Sequence, residues 1–365
     1  MSAFAGSIAE RPGWDVTVVA PGAEGITKVS SSVPYNVHVV TCKAPRCVRT
    51  RLVRRAFGEG FLAMRLLRKA MYCKPDVIVV SVPSVFLILG IPMCRRLPVV
   101  VDLRDLVWEY LLQFPGSRRW VGWLLKRLTR ALLRRAQAVS VTNELEARKL
   151  GWGSFPAPVV VRNGLSRARF DALGALQAKR RSADTPFHVV YVGNIGIAQG
   201  LDTLLDAIGG NPAFRITLVG YGSDFDRIHG SVSSRGFDNV IMTGALPWSS
   251  VLPIYADADC LYGQIGAEFS SAVPSKFFEY VSIGRPVVFA VPLEGVAADI
   301  MRQFQGVRLL VPGNVAQLQG VLETMNKTGA QSPQVTAWNR EMVQSKFLRE
   351  EAAQDFAEMV TRVLE

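Results

Sequence analysis

Lys276 and Glu279 stand three residues apart in the stretch Val273-Pro274-Ser275-Lys276-Phe277-Phe278-Glu279-Tyr280-Val281-Ser282-Ile283-Gly284-Arg285-Pro286-Val287-Val288. A lysine ammonium can meet a phosphate, and a carboxylate can accept two hydroxyls of one ribose. On a helix that spacing puts both groups on one side. The stretch reads as a turn, a short helix, a glycine and a buried strand. Pro274 and Ser275 suit a helix start. Phe277, Phe278 and Val281 give one apolar face, Gly284 suits the helix end, and Pro286 to Phe289 restarts the chain as a strand. The plainer alternative for the same two charges is a surface i,i+3 ion pair.

A second chemistry-bearing stretch lies upstream. The strand pattern Phe187 to Val192 runs into Gly193-Asn194-Ile195-Gly196-Ile197-Ala198-Gln199-Gly200, then into a helical pattern over 201–208. A strand, a glycine-rich turn and a helix start bring backbone N–H groups toward an anion. The spacing is not G-x-G-x-x-G, so a dinucleotide fingerprint does not apply. Arg215 to Gly222 is a further strand and glycine-ended turn, with Gly222 suited to close approach of a ligand. Val240 to Leu246 follows as another strand and its end.

The pattern P-S-K-x-x-E-Y-x-x-x-G-x-P-V, preceded by G-N-x-G-x-A-Q-G, resembles family 4 glycosyltransferases of bacterial polysaccharide gene clusters. The resemblance implies an α/β GT-B fold, two Rossmann-like domains facing each other across a cleft. It implies a retaining enzyme that moves a sugar from a nucleotide-sugar donor, a UDP-sugar, to a lipid-linked saccharide acceptor in polysaccharide biosynthesis. Glu279 then holds the ribose, and Lys276 supplies the cation for the diphosphate. Gly193, Asn194, Gly196, Gly222 and Ser275 line the donor side, and backbone near Leu246 lies beside the nucleobase. Asp102, Arg104 and Asp105, which end a strand in the first half, face the acceptor; a helix-capping Asp-Arg pair is the alternative there. No cofactor or metal is implied.

The sequence also departs from the family. Asn194 and Gln199 stand where many members carry a phosphate-binding Arg and Lys. Of the family's acidic pair E-x7-E only Glu279 remains; Ser271 holds the first position, and Glu268 is three places out of register. Members also have a strand and a glycine-rich loop ahead of the helix with which this sequence starts. These departures keep open a catalytically silent protein that binds a sugar nucleotide or a partner. A sugar-nucleotide epimerase would use the same fold but needs acidic and His groups facing the sugar.

The elements that position these groups follow from pattern. Strand-like runs at Trp14 to Pro21, Val37 to Thr41, Val77 to Val82, Val99 to Asp102, Ala138 to Thr142 and Val159 to Val161 alternate with helical stretches, which argues for parallel sheets covered by helices. A length of 365 residues suits two domains. Their expected bounds are 1–170, 171–345 and a last helix, 346–365, returning to the first. The polar stretch Gly151 to Pro186, with Asn163-Gly164 and Lys179-Arg180-Arg181, reads as the linker.

Charge is uneven. Residues 1–180 hold 29 Lys and Arg against 11 Asp and Glu, and the remainder 13 against 19. The excess gathers in two helical patterns, Arg49 to Lys69 and Trp120 to Arg135. In the second, Trp120, Trp123, Leu124, Leu128 and Leu132 share a face, with Lys126, Arg127, Arg130 and Arg134 off it. Such a helix suits an anionic membrane surface; the alternative buries the apolar face in a core. These patterns predict a cytoplasmic protein held peripherally on the inner face of the membrane. Nucleic acid is not expected, because no binding motif with interleaved aromatics occurs. The five cysteines form no C-x-x-C pair, and the three histidines are far apart, which argues against disulfides and a His-ligated metal. His188, in an apolar strand pattern, reads as structural. Val77 to Cys94 is apolar enough for a membrane span, but Pro83 and Pro92 favour a buried strand, turn and helix.

Overall fold

The computed structural model describes residues 2–22, 25–26, 36–43, 52–82, 85–104, 106–112, 115–151, 156–177, 181–182, 184–269, 272–328 and 332–365. The chain forms two compact units, 1–162 with 349–365, and 163–348.

The first unit begins with α1 (Ser2–Ala9), β1 (Val16–Gly22), β2 (Gly25–Ile26), β3 (Val37–Lys43) and α2 (Leu52–Tyr72). It continues with β4 (Ile78–Val82), α3 (Val85–Leu89), β5 (Val99–Leu103), α4 (Val107–Leu112) and α5 (Ser117–Leu133). After these come β6 (Ala138–Val141), α6 (Glu144–Leu150) and β7 (Val159–Val160). Its strands form two sheets, in the orders β1-β3-β2 and β4-β5-β6-β7. All pairs are parallel except β2 with β3. β5 is buried along its whole length, as a central parallel strand must be. The described residues of the apolar run from Val77 to Cys94 form β4, α3 and a short 3-10 turn, and no helix among the described residues is long and apolar enough to cross a membrane.

The second unit holds α7 (Arg167–Gly174), β8 (Phe187–Val192), α8 (Asp202–Ile208), β9 (Phe214–Val219), α9 (Phe225–Ser234), β10 (Val240–Gly244) and α10 (Trp248–Asp257). β11 (Cys260–Gln264), α11 (Lys276–Ile283), β12 (Val287–Ala290), α12 (Val296–Met301), β13 (Val307–Leu310), α13 (Val315–Thr328) and α14 (Pro333–Lys346) complete it. Six parallel strands form one sheet in the order β10-β9-β8-β11-β12-β13. The chain starts at β8, builds outward to β10, then returns to build outward from β11. The boundary between β8 and β11 is therefore the switch point of this doubly wound sheet, the place where open α/β sheets bind their ligands.

Packing moves the expected bounds. The boundary falls at 162/163 rather than 170/171, because α7 lies within the expected linker yet buries Phe170 and Leu173 in the same core as Phe277 and Phe278. The return falls at 348/349 rather than 345/346, because Phe347 stacks on Phe278 at 4.4 Å and Leu348 bridges to Leu165. The last helix, α15 (Arg349–Thr361), packs on α1, where Phe4 meets Phe356 edge to face at 5.1 Å.

Candidate donor site

The candidate site lies on the carboxyl edge of β8, at the switch point. Phe277, Phe278, Tyr280 and Val281 of α11 are wholly buried, which fixes the helix rotationally. Tyr280 also clamps the helix to the sheet: its hydroxyl accepts from the Val192 N–H at 2.9 Å and donates to the Val192 carbonyl at 3.2 Å. Gly284 ends α11 with φ +83°, as the glycine predicted. Ser275 stands at the helix start, but its side chain makes no capping hydrogen bond.

With α11 held this way, Lys276 points into the end of β8. Its Nζ donates to the Tyr191 hydroxyl at 2.7 Å and lies 4.2 Å from that ring's centroid. The ammonium rests against Gly193, and any side chain there would collide with it. Burial lowers the Lys276 pKa to about 8, with Glu279 opposing the shift from a distance. Among the described residues no carboxylate pairs with Lys276. Burial also raises the Tyr191 hydroxyl, which in turn donates to the Asn194 carbonyl at 2.6 Å.

Glu279 does not pair with Lys276, so the surface i,i+3 ion pair does not form. Its carboxylate accepts instead from Arg169 Nη1 at 2.7 Å and from the Tyr255 hydroxyl at 3.2 Å. Arg169 stacks over Trp248 at 4.5 Å. Tyr191, Arg169, Tyr255 and Trp248 are site neighbours that sequence spacing missed. Only Tyr191, two residues before Gly193, stood close enough to a recognised motif to be found.

The glycine-rich turn differs from expectation. Its N–H groups turn largely inward: Gly193 to the Val219 carbonyl, Ile195 to the Tyr221 carbonyl, and Gly196 to Gln199 Oε1. Asn194 Nδ2 donates to the same Gln199 oxygen at 3.1 Å. Gly222 packs against the neighbouring turn, where a Cβ would strike the Ile195 carbonyl. A hydrogen bond from Gly266 N to the Ala198 carbonyl closes the turns after β8 and β11 on each other. Beneath them the buried Gln264 donates to the Gly200 carbonyl and to Thr203. Leu246 is half-buried against the core that includes Phe277. Glu268 folds back over Gly266, and Ser271 lies outside the described residues.

In the first unit, Asp102 is buried and fully engaged. Its carboxylate accepts from Ser81 at 2.9 Å, Ser140 at 2.8 Å and Arg104 Nε at 2.7 Å. Those bonds tie the ends of β4, β5 and β6 together, and Arg104 lies 4.5 Å over Phe4. Asp105 lies outside the described residues. His188 is structural: it is buried, contacts the Asp257 carbonyl and Thr217, and burial lowers its pKa. Cys42, Cys73, Cys94 and Cys260 are free thiols, Cys47 lies outside the described residues, and no metal-binding cluster occurs among the described ones.

Residues 4–164 match the glycosyl transferase 4-like domain, and residues 175–332 match the glycosyl transferases group 1 family. The chain belongs to the GT-B glycosyltransferases of the family 4 kind. The fold of this GT-B glycosyltransferase is similar to that of the sucrose-phosphate synthase of Thermosynechococcus elongatus. The TM-score is 0.74 at 18% identity, over 99% of this chain and 91% of that one. HepE of Anabaena in complex with UDP-glucose matches with a TM-score of 0.63 at 17% identity, over 89% and 86% of the two chains. The lipopolysaccharide outer core galactosyltransferase WaaB, in its apo form, matches at 0.59 and 14% identity, over 96% and 99%. No curated protein matches the chain.

Proposed function

We propose that this glycosyltransferase takes its sugar from a UDP-sugar, with the diphosphate on Lys276 and the ribose on Glu279. The observation that carries the reading is the half-buried Lys276, its ammonium partly desolvated and aimed at the Gly193 turn without a carboxylate partner among the described residues. A partly desolvated cation of that kind is costly unless an anion arrives to use it. Glu279 lies one helical turn along the same side, and Arg169 holds its carboxylate in place until ribose hydroxyls replace that partner. The UDP and UDP-glucose complexes of Anabaena HepE, on a similar fold, support UDP as the nucleotide.

Transfer proceeds with retention. Lys276 stabilises the charge that develops on the leaving diphosphate, and a diphosphate oxygen takes the acceptor's proton on the same face of the sugar. No cofactor enters this scheme. The acceptor is a lipid-linked saccharide in polysaccharide biosynthesis, met at the inner face of the membrane. The family resemblance and the uneven charge of the chain support that placement.

Calorimetric titration of the full chain with UDP, GDP and ADP, beside Glu279→Ala, tests the donor site. UDP binds, and the variant weakens it at least tenfold. Equal affinity in both proteins removes Glu279 from the ribose. Release of nucleoside diphosphate from a UDP-sugar only when acceptor is present separates transfer from silent binding.

A further inference from the structure

Helices α2 and α5 both pack against α3 in the first unit. α5 meets α4 through Gly122, where a Cβ would stand 2.9 Å from the Leu111 Cβ and 3.0 Å from the Trp108 carbonyl oxygen. Thr129 and Leu133, seven and eleven residues on, are buried on that same side. At about 100° per residue, helical geometry then sends Trp120, Leu124 and Leu128 away from the core. Trp120 is 64% exposed and Trp123 50%, with Leu124 and Leu128 at 42% and 41%.

α2 repeats the arrangement. Ala63 and Leu67 are buried, and Gly60 brings the backbone against Phe86 of α3. Phe57, Phe61 and Met64, at i, i+4 and i+7, face outward at 77%, 62% and 38% exposure. Exposed basic residues accompany both apolar stripes: Arg119, Arg127, Arg134 and Arg135 on or beside α5, and Arg68 and Lys69 on α2. Arg127 lies 5.6 Å over the Trp123 ring. α5 carries no acidic residue at all.

We infer that α2 and α5 form one docking surface for an anionic lipid bilayer. The tryptophans, Phe57 and Phe61 enter the headgroup boundary, while the arginines meet lipid phosphates. Indole rings with a polar edge suit that boundary, and a basic rim adds attraction to anionic lipid. A second copy of the chain is a poor occupant, because a self-complementary contact would set these basic rims against each other. The inference rests on the lipid-linked acceptor only for its use; the surface does not involve the donor site.

Flotation of the full chain with vesicles tests it, using phosphatidylcholine alone and phosphatidylcholine mixed with phosphatidylglycerol. The chain floats with the anionic vesicles only, and its tryptophan emission shifts to the blue. Trp120→Ser with Trp123→Ser lowers partitioning at least tenfold, and Phe57→Ser with Phe61→Ser lowers it several-fold. Arg127→Gln lowers it about fivefold, the usual effect of one cation at such a surface. All three variants keep the parent's UDP titration and thermal unfolding. Absence of flotation, equal flotation with neutral vesicles, or variants that float undiminished would each overturn the docking surface. So would a dimer, seen by light scattering, that the Trp variant dissolves. A failed UDP titration with intact flotation overturns the donor reading alone.

Discussion

α11 and α5 are both amphipathic helices with aromatic stripes and basic residues, yet they use them in opposite ways. α11 buries Phe277 and Phe278 completely and half-buries its lysine. α5 buries Gly122, Thr129 and Leu133 and leaves its tryptophans in solvent. Helical periodicity shows that a stripe exists; the neighbouring element decides whether it is covered. Above α11 stand Phe289, Phe304 and Phe347, a set of rings that the α11 aromatics complete. Beneath α5 lies α4, approached so closely at Gly122 that only the slim side of the helix fits.

The sharpest break between the two comes from truncating their aromatics. Phe278→Ala removes a fully buried ring stacked on Phe347 and should cost about 3–5 kcal/mol of unfolding free energy. Trp120→Ala, at a site 64% exposed, should stay within about 0.5 kcal/mol. Urea denaturation of both variants measures the contrast. A large loss from Trp120→Ala would mean that its ring packs against protein in solution, and the two helices would no longer differ.

A smaller effect separates stability from function at Lys276. Lys276→Met removes a half-buried charge while keeping the length of the side chain. Nucleotide affinity should fall by about 2–3 kcal/mol, the loss of a charged contact, while the melting temperature holds or rises. Calorimetry and thermal unfolding on the same preparation check both. A variant that loses stability and keeps UDP affinity would make Lys276 a structural lysine.

The strands and helices were largely legible, because parallel strands buried on both faces read as short apolar runs between turn residues. The proximity of Lys276 to Gly193 was implied by resemblance, though 83 residues separate them. Arg169 was not legible, since nothing in sequence links it to Glu279 across 110 positions. At Gly222 the close approach that the glycine marks is to the Ile195 carbonyl, and sequence does not say whether ligand or neighbouring backbone approaches. The domain bounds slipped for a related reason. α7 looks like linker by composition, and only Phe170 and Leu173, seated in the core of the second unit, assign it there.

The smallest effect is the pH dependence of the donor site. Burial holds the Lys276 ammonium near a pKa of about 8, below its ordinary value of 10.5. The unfolded chain therefore keeps that proton between about pH 8 and pH 10.5 while the folded chain releases it, so stability rises with pH through this window. Affinity runs the other way. A bound diphosphate favours the ammonium, so above about pH 8 the site must take up a proton to bind UDP. The dissociation constant should rise about tenfold between pH 7 and pH 9, and should be flat in Lys276→Met. Calorimetry in two buffers of different ionisation enthalpy would register the proton uptake directly. An affinity that ignores pH in the parent protein would place the diphosphate away from Lys276, and α11 would then half-bury its lysine without using it.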